Sequence, residues 1–135
     1  MARNVIVAAC VLLAFLLTGC NPEAQIADPR ERPGLPGWLS RVYPEPGAEG
    51  SVGEIQVDYQ VSGPEQNVRL FVDGVDVTIY STIQSGSLQY DVAQEFAPVE
   101  LDPGPHRAAV ELVNEPEQGE AVKVLDRFEW QFEVR

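Results

Sequence analysis

The last nine residues, Arg127-Phe128-Glu129-Trp130-Gln131-Phe132-Glu133-Val134-Arg135, decide the fold class. Phe128, Trp130, Phe132 and Val134 alternate with charged and polar neighbours, and a period of two is the signature of a strand with one face in a core and one in water. Working backward, Ala108, Val110 and Leu112 alternate with Arg107, Ala109 and Glu111. Leu88, Tyr90 and Val92 follow a turn at Ser85-Gly86, and Val77, Ile79 and Ile83 read as the core side of the strand before it. Val68, Leu70 and Val72 alternate with Arg69, Phe71 and Asp73, and the following Gly74 completes an Asp-Gly pair suited to a tight hairpin because both residues tolerate positive φ. Ile55, Val57, Tyr59 and Val61 form another alternating run, and residues 39–43 supply a short first strand. About seven strands over residues 38–135, punctuated by Gly and Pro every 8 to 12 residues, predict an all-β antiparallel sandwich of immunoglobulin-like type.

Upstream of residue 38 the composition changes. Residues 21–37 hold Pro22, Pro29, Pro33, Pro36, Gly34 and Gly37, with Ile26 and Leu35 as the larger aliphatics. Such a segment buries too little to offset its ordering entropy, and it reads as a linker able to reach about 50 Å when extended. Before it, Arg3 precedes an unbroken apolar run from residue 5 to residue 17. That run fits the core of a signal peptide and is shorter than the roughly 20 residues of a membrane-spanning helix.

The run ends in Leu17-Thr18-Gly19-Cys20, which resembles the bacterial lipobox. The resemblance implies that Leu17, Thr18 and Gly19 are read by the lipoprotein signal peptidase, that residues 1–19 are removed, and that Cys20 is acylated as the new first residue. The thiol is the nucleophile that takes the lipid, so cysteine is required there. Cys10 falls in the discarded segment, which leaves no partner for a disulfide. More than one acyl chain holds firmly where a single chain binds reversibly. Asn21, in place of an Asp, points to the outer membrane if the cell has two.

The 21 acidic and 9 basic residues give a net charge of −12, and Lys123 is the single lysine. A nucleic-acid binder needs clustered cations to displace counterions, so that class is excluded. One histidine excludes His-pair and His-rich metal chemistry. His106 follows Pro103-Gly104-Pro105 and reads as a ring bound to a turn. Asp73 and Asp76 flank a glycine but lack the further oxygen ligands of a calcium loop, with Asp58 and Asp91 as the unplaced candidates for a third. Glu111, Glu115, Glu117 and Glu120 read as a solvated acidic loop between the last two strands. No motif of a hydrolase, a cofactor site or a metal centre occurs.

Phe71 and Tyr80 fall on the face opposite Val72 and Ile79, and the Asp73-Gly74 hairpin is expected to bring the two rings together as a partner-binding surface, unless Trp38 or the linker covers it. The segments Tyr43-Pro44-Glu45-Pro46-Gly47-Ala48, Val68-Arg69-Leu70-Phe71-Val72-Asp73-Gly74-Val75-Asp76-Val77-Thr78 and Leu101-Asp102-Pro103-Gly104-Pro105-His106 resemble the Ig-like domains of bacterial surface proteins. That resemblance implies a spacer, stalk or accessory module; a single copy without internal repeat speaks against a long stalk. The combined expectation is a lipoprotein of the bacterial envelope, membrane-held through its lipid, carrying a non-catalytic module for an envelope protein or a glycan. An accessory subunit of an envelope complex is the first alternative, and an enzyme with an unfamiliar carboxylate site the last.

Overall fold

A computed structural model of the chain describes residues 34–116 and 119–135. The lipobox residues Leu17, Thr18, Gly19 and Cys20, most of the linker, and Glu117 lie outside the described residues. What is described is all-β: a two-sheet sandwich whose strands are β1 (Leu39–Tyr43), β2 (Glu49–Gly50), β3 (Glu54–Tyr59), β4 (Gln66–Val72), β5 (Val75–Asp76), β6 (Thr82–Gln84), β7 (Ser87–Asp91), β8 (Gly104–Asn114) and β9 (Lys123–Val134).

One sheet runs β1-β3-β7-β6 and the other β2-β9-β8-β4-β5, the strand order of an immunoglobulin-like sandwich. The alternation read from sequence sets the faces. Ile55, Val57 and Tyr59 point inward from β3, Val68, Leu70 and Val72 from β4, Leu88 and Tyr90 from β7, and Phe128, Trp130 and Phe132 from β9. These side chains form one core between the sheets, and the Trp130 indole N–H donates to the Pro44 carbonyl at 2.9 Å.

Nine strands replace the expected seven for two local reasons. The first strand changes sheets: β1 pairs antiparallel with β3, and after residues 44–48 the chain re-enters as β2, parallel to β9. The second reason lies after the hairpin. Asp73 (φ 48°) and Gly74 (φ 81°) make the expected two-residue turn, pairing Val72 with Val75 and Phe71 with Asp76. Then Val77 N–H reaches the Leu70 carbonyl at 2.9 Å, while the Thr78 hydroxyl accepts the Leu70 N–H at 2.9 Å. Asp76 Oδ1 accepts the Thr78 N–H at 3.0 Å, an Asx turn. Side-chain oxygens thus replace the sheet ladder, β5 stops after two residues, and a single 3-10 turn over Thr78–Tyr80 carries the chain to the other sheet.

This corrects the expected strand over residues 77–83. Val77 is fully buried, but Ile79 is 85% exposed and Ile83 is exposed at the sheet edge. Val61 also lies outside β3 and is exposed. Between Leu112 and Val113 the β8–β9 register slips, placing Leu112 opposite Asp126 and Val113 opposite Val124. Leu125 is the extra residue of this bulge and faces solvent.

Candidate functional site

The outer face of the five-stranded sheet gathers the side chains that β4, β8 and β9 turn away from the core. Register places Phe71 opposite Ala109, Ala109 opposite Glu129, and Glu111 between Arg69 and Arg127. The small Ala109 leaves a dip between longer neighbours, and this shallow groove of about 630 Å³ is lined by Phe71, Arg107, Arg127, Glu129 and Gln131 among others. The Arg127 guanidinium lies 5.6 Å from the centre of the Phe71 ring, within cation–π range.

The same guanidinium pairs with Glu111 at 2.6 Å and Glu129 at 3.3 Å. Arg107 pairs with Glu129 at 3.2 Å, and Arg69 with Glu115 at 3.4 Å. Three of the five arginines among the described residues therefore share one face of a strongly acidic chain. These pairs are partly exposed, and such pairs contribute about 0–1 kcal/mol each, so their arginines can exchange one carboxylate for another at small cost. Alternation predicts only that these arginines and Glu129 face water, and it leaves Glu111 and Glu115 in an acidic loop. The signal available was Arg107, Glu111, Arg127 and Glu129 recurring at outward positions of two neighbouring strands.

At one end of the sandwich His106 has both ring nitrogens against acceptors: Nδ1 lies 2.7 Å from Asp73 Oδ2 and Nε2 lies 2.6 Å from the Asp102 carbonyl. With an acceptor facing each nitrogen, the surroundings favour the doubly protonated ring, which donates at both. Burial alone pushes its pKa down, but the Asp102 carbonyl and the hydrogen bond and charge of Asp73 outweigh this, and the net displacement is upward. The ring stacks on Phe132 at 5.8 Å. His106 is thus tied to turns on both sides, in keeping with its structural reading.

Tyr80 is not beside Phe71. It closes the 3-10 turn, where its carbonyl accepts the Gln94 side-chain amide at 3.1 Å, and no ring contact joins it to Phe71 among the described residues. The expected pairing fails because Thr78 ends β5 before Tyr80 can extend along β4. Nor does Trp38 cover Phe71: its indole N–H donates to Asp126 Oδ2 at 2.7 Å.

The four aspartates weighed for calcium divide between the sheets. Asp73 accepts from His106 and from Arg107 N–H, and Asp76 from Thr78 N–H. Asp58 pairs with Arg41 and Asp91 accepts the Ala93 N–H, both in the other sheet. The acidic stretch is also divided: Glu111 belongs to β8 and is half-buried against Arg127, whereas Glu115 and Glu120 lie in the connection to β9.

No family model and no curated protein matches the chain. Among solved structures, the crystal structure of CopC from Methylosinus trichosporium OB3b is similar, with a TM-score of 0.43 and 16% identity over 72% of this chain and 91% of that one.

Proposed function

We propose that the protein is a lipid-anchored module of the bacterial cell envelope, held at Cys20, that binds a protein partner through the outer face of β4, β8 and β9 and performs no chemistry of its own. The observation that carries this reading is the Phe71–Arg127 stack in the groove over Ala109. An aromatic ring with a guanidinium laid on it offers a partner apolar area and a forked donor together, and both residue types are enriched where proteins meet. Arginines on an otherwise acidic molecule also give an approaching partner one preferred orientation. The outward groups of this face include no nucleophile beside a base, which is why binding is preferred to catalysis.

Anchoring follows from the lipobox, and it is tested by fractionation. The wild-type chain is expected to sediment with membranes and to incorporate labelled palmitate. Cys20→Ser is expected to do neither; a Cys20→Ser chain that still carries label would refute the anchor.

The second reading is an accessory subunit that docks by a sheet edge. It is supported by Ile79, exposed in the turn between the edge strands β5 and β6, and by Phe96, which is 76% exposed in the β7–β8 connection whose Gln94 amide donates to the Tyr80 carbonyl of that turn.

A further inference from the structure

At the end of the sandwich where residues 34–38 lead into β1, a second groove of about 830 Å³ opens between the sheets. Its size falls within the roughly 300–1,000 Å³ typical of small-molecule sites. Among the described residues, none of the eleven that line it is charged, although charged residues make up 22% of the chain. The lining instead combines Trp38 and Tyr59 with Ser40, Gln60, Ser62 and Gln66.

The polar groups are arranged with capacity to spare. Gln66 Oε1 accepts twice, from Ser62 N–H at 2.9 Å and from the Ser62 hydroxyl at 3.0 Å. Acceptance from a backbone N–H fixes which end of the amide is oxygen, so Gln66 Nε2 is presented as a donor. The side chains of Ser40 and Gln60 and the Tyr59 hydroxyl have no hydrogen-bond partner among the described residues. Burial pushes the Tyr59 phenol up from its ordinary pKa, which keeps it a neutral donor.

The apolar part is held in place. Trp38 is tied through its indole N–H to Asp126 of β9, and its backbone carbonyl accepts Gln60 N–H at 2.8 Å. Tyr59 N–H donates to the Gly86 carbonyl at 2.9 Å, and a Cβ on Gly86 would stand only 3.1 Å from the Tyr59 carbonyl. The β6–β7 turn therefore packs closely on the groove floor.

We infer that this groove is a binding site for an uncharged oligosaccharide, with Trp38 stacking on a sugar ring and Gln66 Nε2 donating to a ring substituent. An ionised ligand would leave water without meeting a countercharge. A purely apolar segment would bury the Gln and Ser groups without partners, at the full desolvation cost of each group left unpaired. A hydroxyl-rich neutral ligand satisfies both constraints, since it donates, accepts and offers C–H faces to the indole. This site is separate from the outer face, and its failure would leave the protein-binding reading untouched.

The test is a titration of the isotope-labelled full chain with chitotriose, maltotriose and mannotriose, with trigalacturonate as the charged comparator, read by the Trp38 indole N–H and the Gln66 side-chain amide resonances. At least one uncharged trisaccharide is expected to shift both resonances to saturation. Affinity is expected to fall at least tenfold in Gln66→Leu and to be unchanged in Phe71→Ser, with native spectra confirming that each variant is folded. Trp38→Phe, which keeps a ring but loses the Asp126 bond, is expected to bind less tightly than wild type. The inference is overturned if no uncharged trisaccharide shifts these resonances up to about 10 mM, tenfold above the concentration that half-saturates a millimolar complex. Equal response to trigalacturonate, or binding indifferent to Gln66→Leu, overturns it as well.

Discussion

At the end of the sandwich where β8 begins, side chains fasten loops to strands: His106 spans Asp73 and Asp102, Tyr90 donates to the Val99 carbonyl at 3.1 Å, and Trp130 donates to the Pro44 carbonyl. At the opposite end, where the chain enters, an exposed bond links Trp38 to Asp126 of β9, and the side chains of Ser40 and Gln60 and the Tyr59 hydroxyl have no hydrogen-bond partner among the described residues. The first end uses its polar groups to hold itself shut. The second leaves them available to a ligand, whereas the outer-face groove reaches the closed end, with Asp73 and His106 among its lining residues.

The comparison breaks most visibly if the closed end is not the more stable one. Trp130→Ala removes a buried ring together with its hydrogen bond, and an expected loss of about 3–5 kcal/mol would show in chemical denaturation. A loss below about 1 kcal/mol would mean that this end is not held by its core.

His106→Gln is expected to cost about 1–2 kcal/mol, because charge-assisted bonds contribute more than neutral ones. Its pH signature sharpens the point. The folded pKa lies above the ordinary histidine value of 6.5, so the stabilisation is fully present below pH 6.5 and is lost as pH rises through the folded value. The melting temperature of the wild type should fall over that interval. Since the chain has one histidine, His106→Gln should flatten the curve there. A wild-type curve already flat above pH 6.5 would show that the ring is not an imidazolium.

The smallest effect is expected at the open end. Asp126→Ala should cost at most about 1 kcal/mol, the value of one exposed hydrogen bond, while changing the Trp38 resonance. A cost exceeding that of His106→Gln would reverse the ranking of the two ends.

Much of the sandwich was legible because its long strands obey period two: β3, β4, β8 and β9 bury the residues that alternation selects. The segment after Asp73-Gly74 was not, because Thr78 and Asp76 divert backbone bonds that a strand would use, and no hydropathy pattern reports such a diversion. Phe71 was identifiable as an outward aromatic, whereas its partner Arg127 was not, since the two lie 56 positions apart and meet only through the β4–β8–β9 register. The open groove was illegible for a similar reason: Trp38, Tyr59 and Gln66 sit on three separate segments that converge at one end of the fold.

The proposed partner surface is the outer face, and not the β5–β6 edge. Photo-crosslinking in intact cells, with the reactive group placed in turn at positions 71, 79 and 96, tests it directly. The account predicts a discrete protein adduct from position 71 that disappears in an Arg127→Glu background, with none from 79 or 96. Adducts from 79 or 96 with none from 71 would contradict it and assign the interaction to the sheet edge.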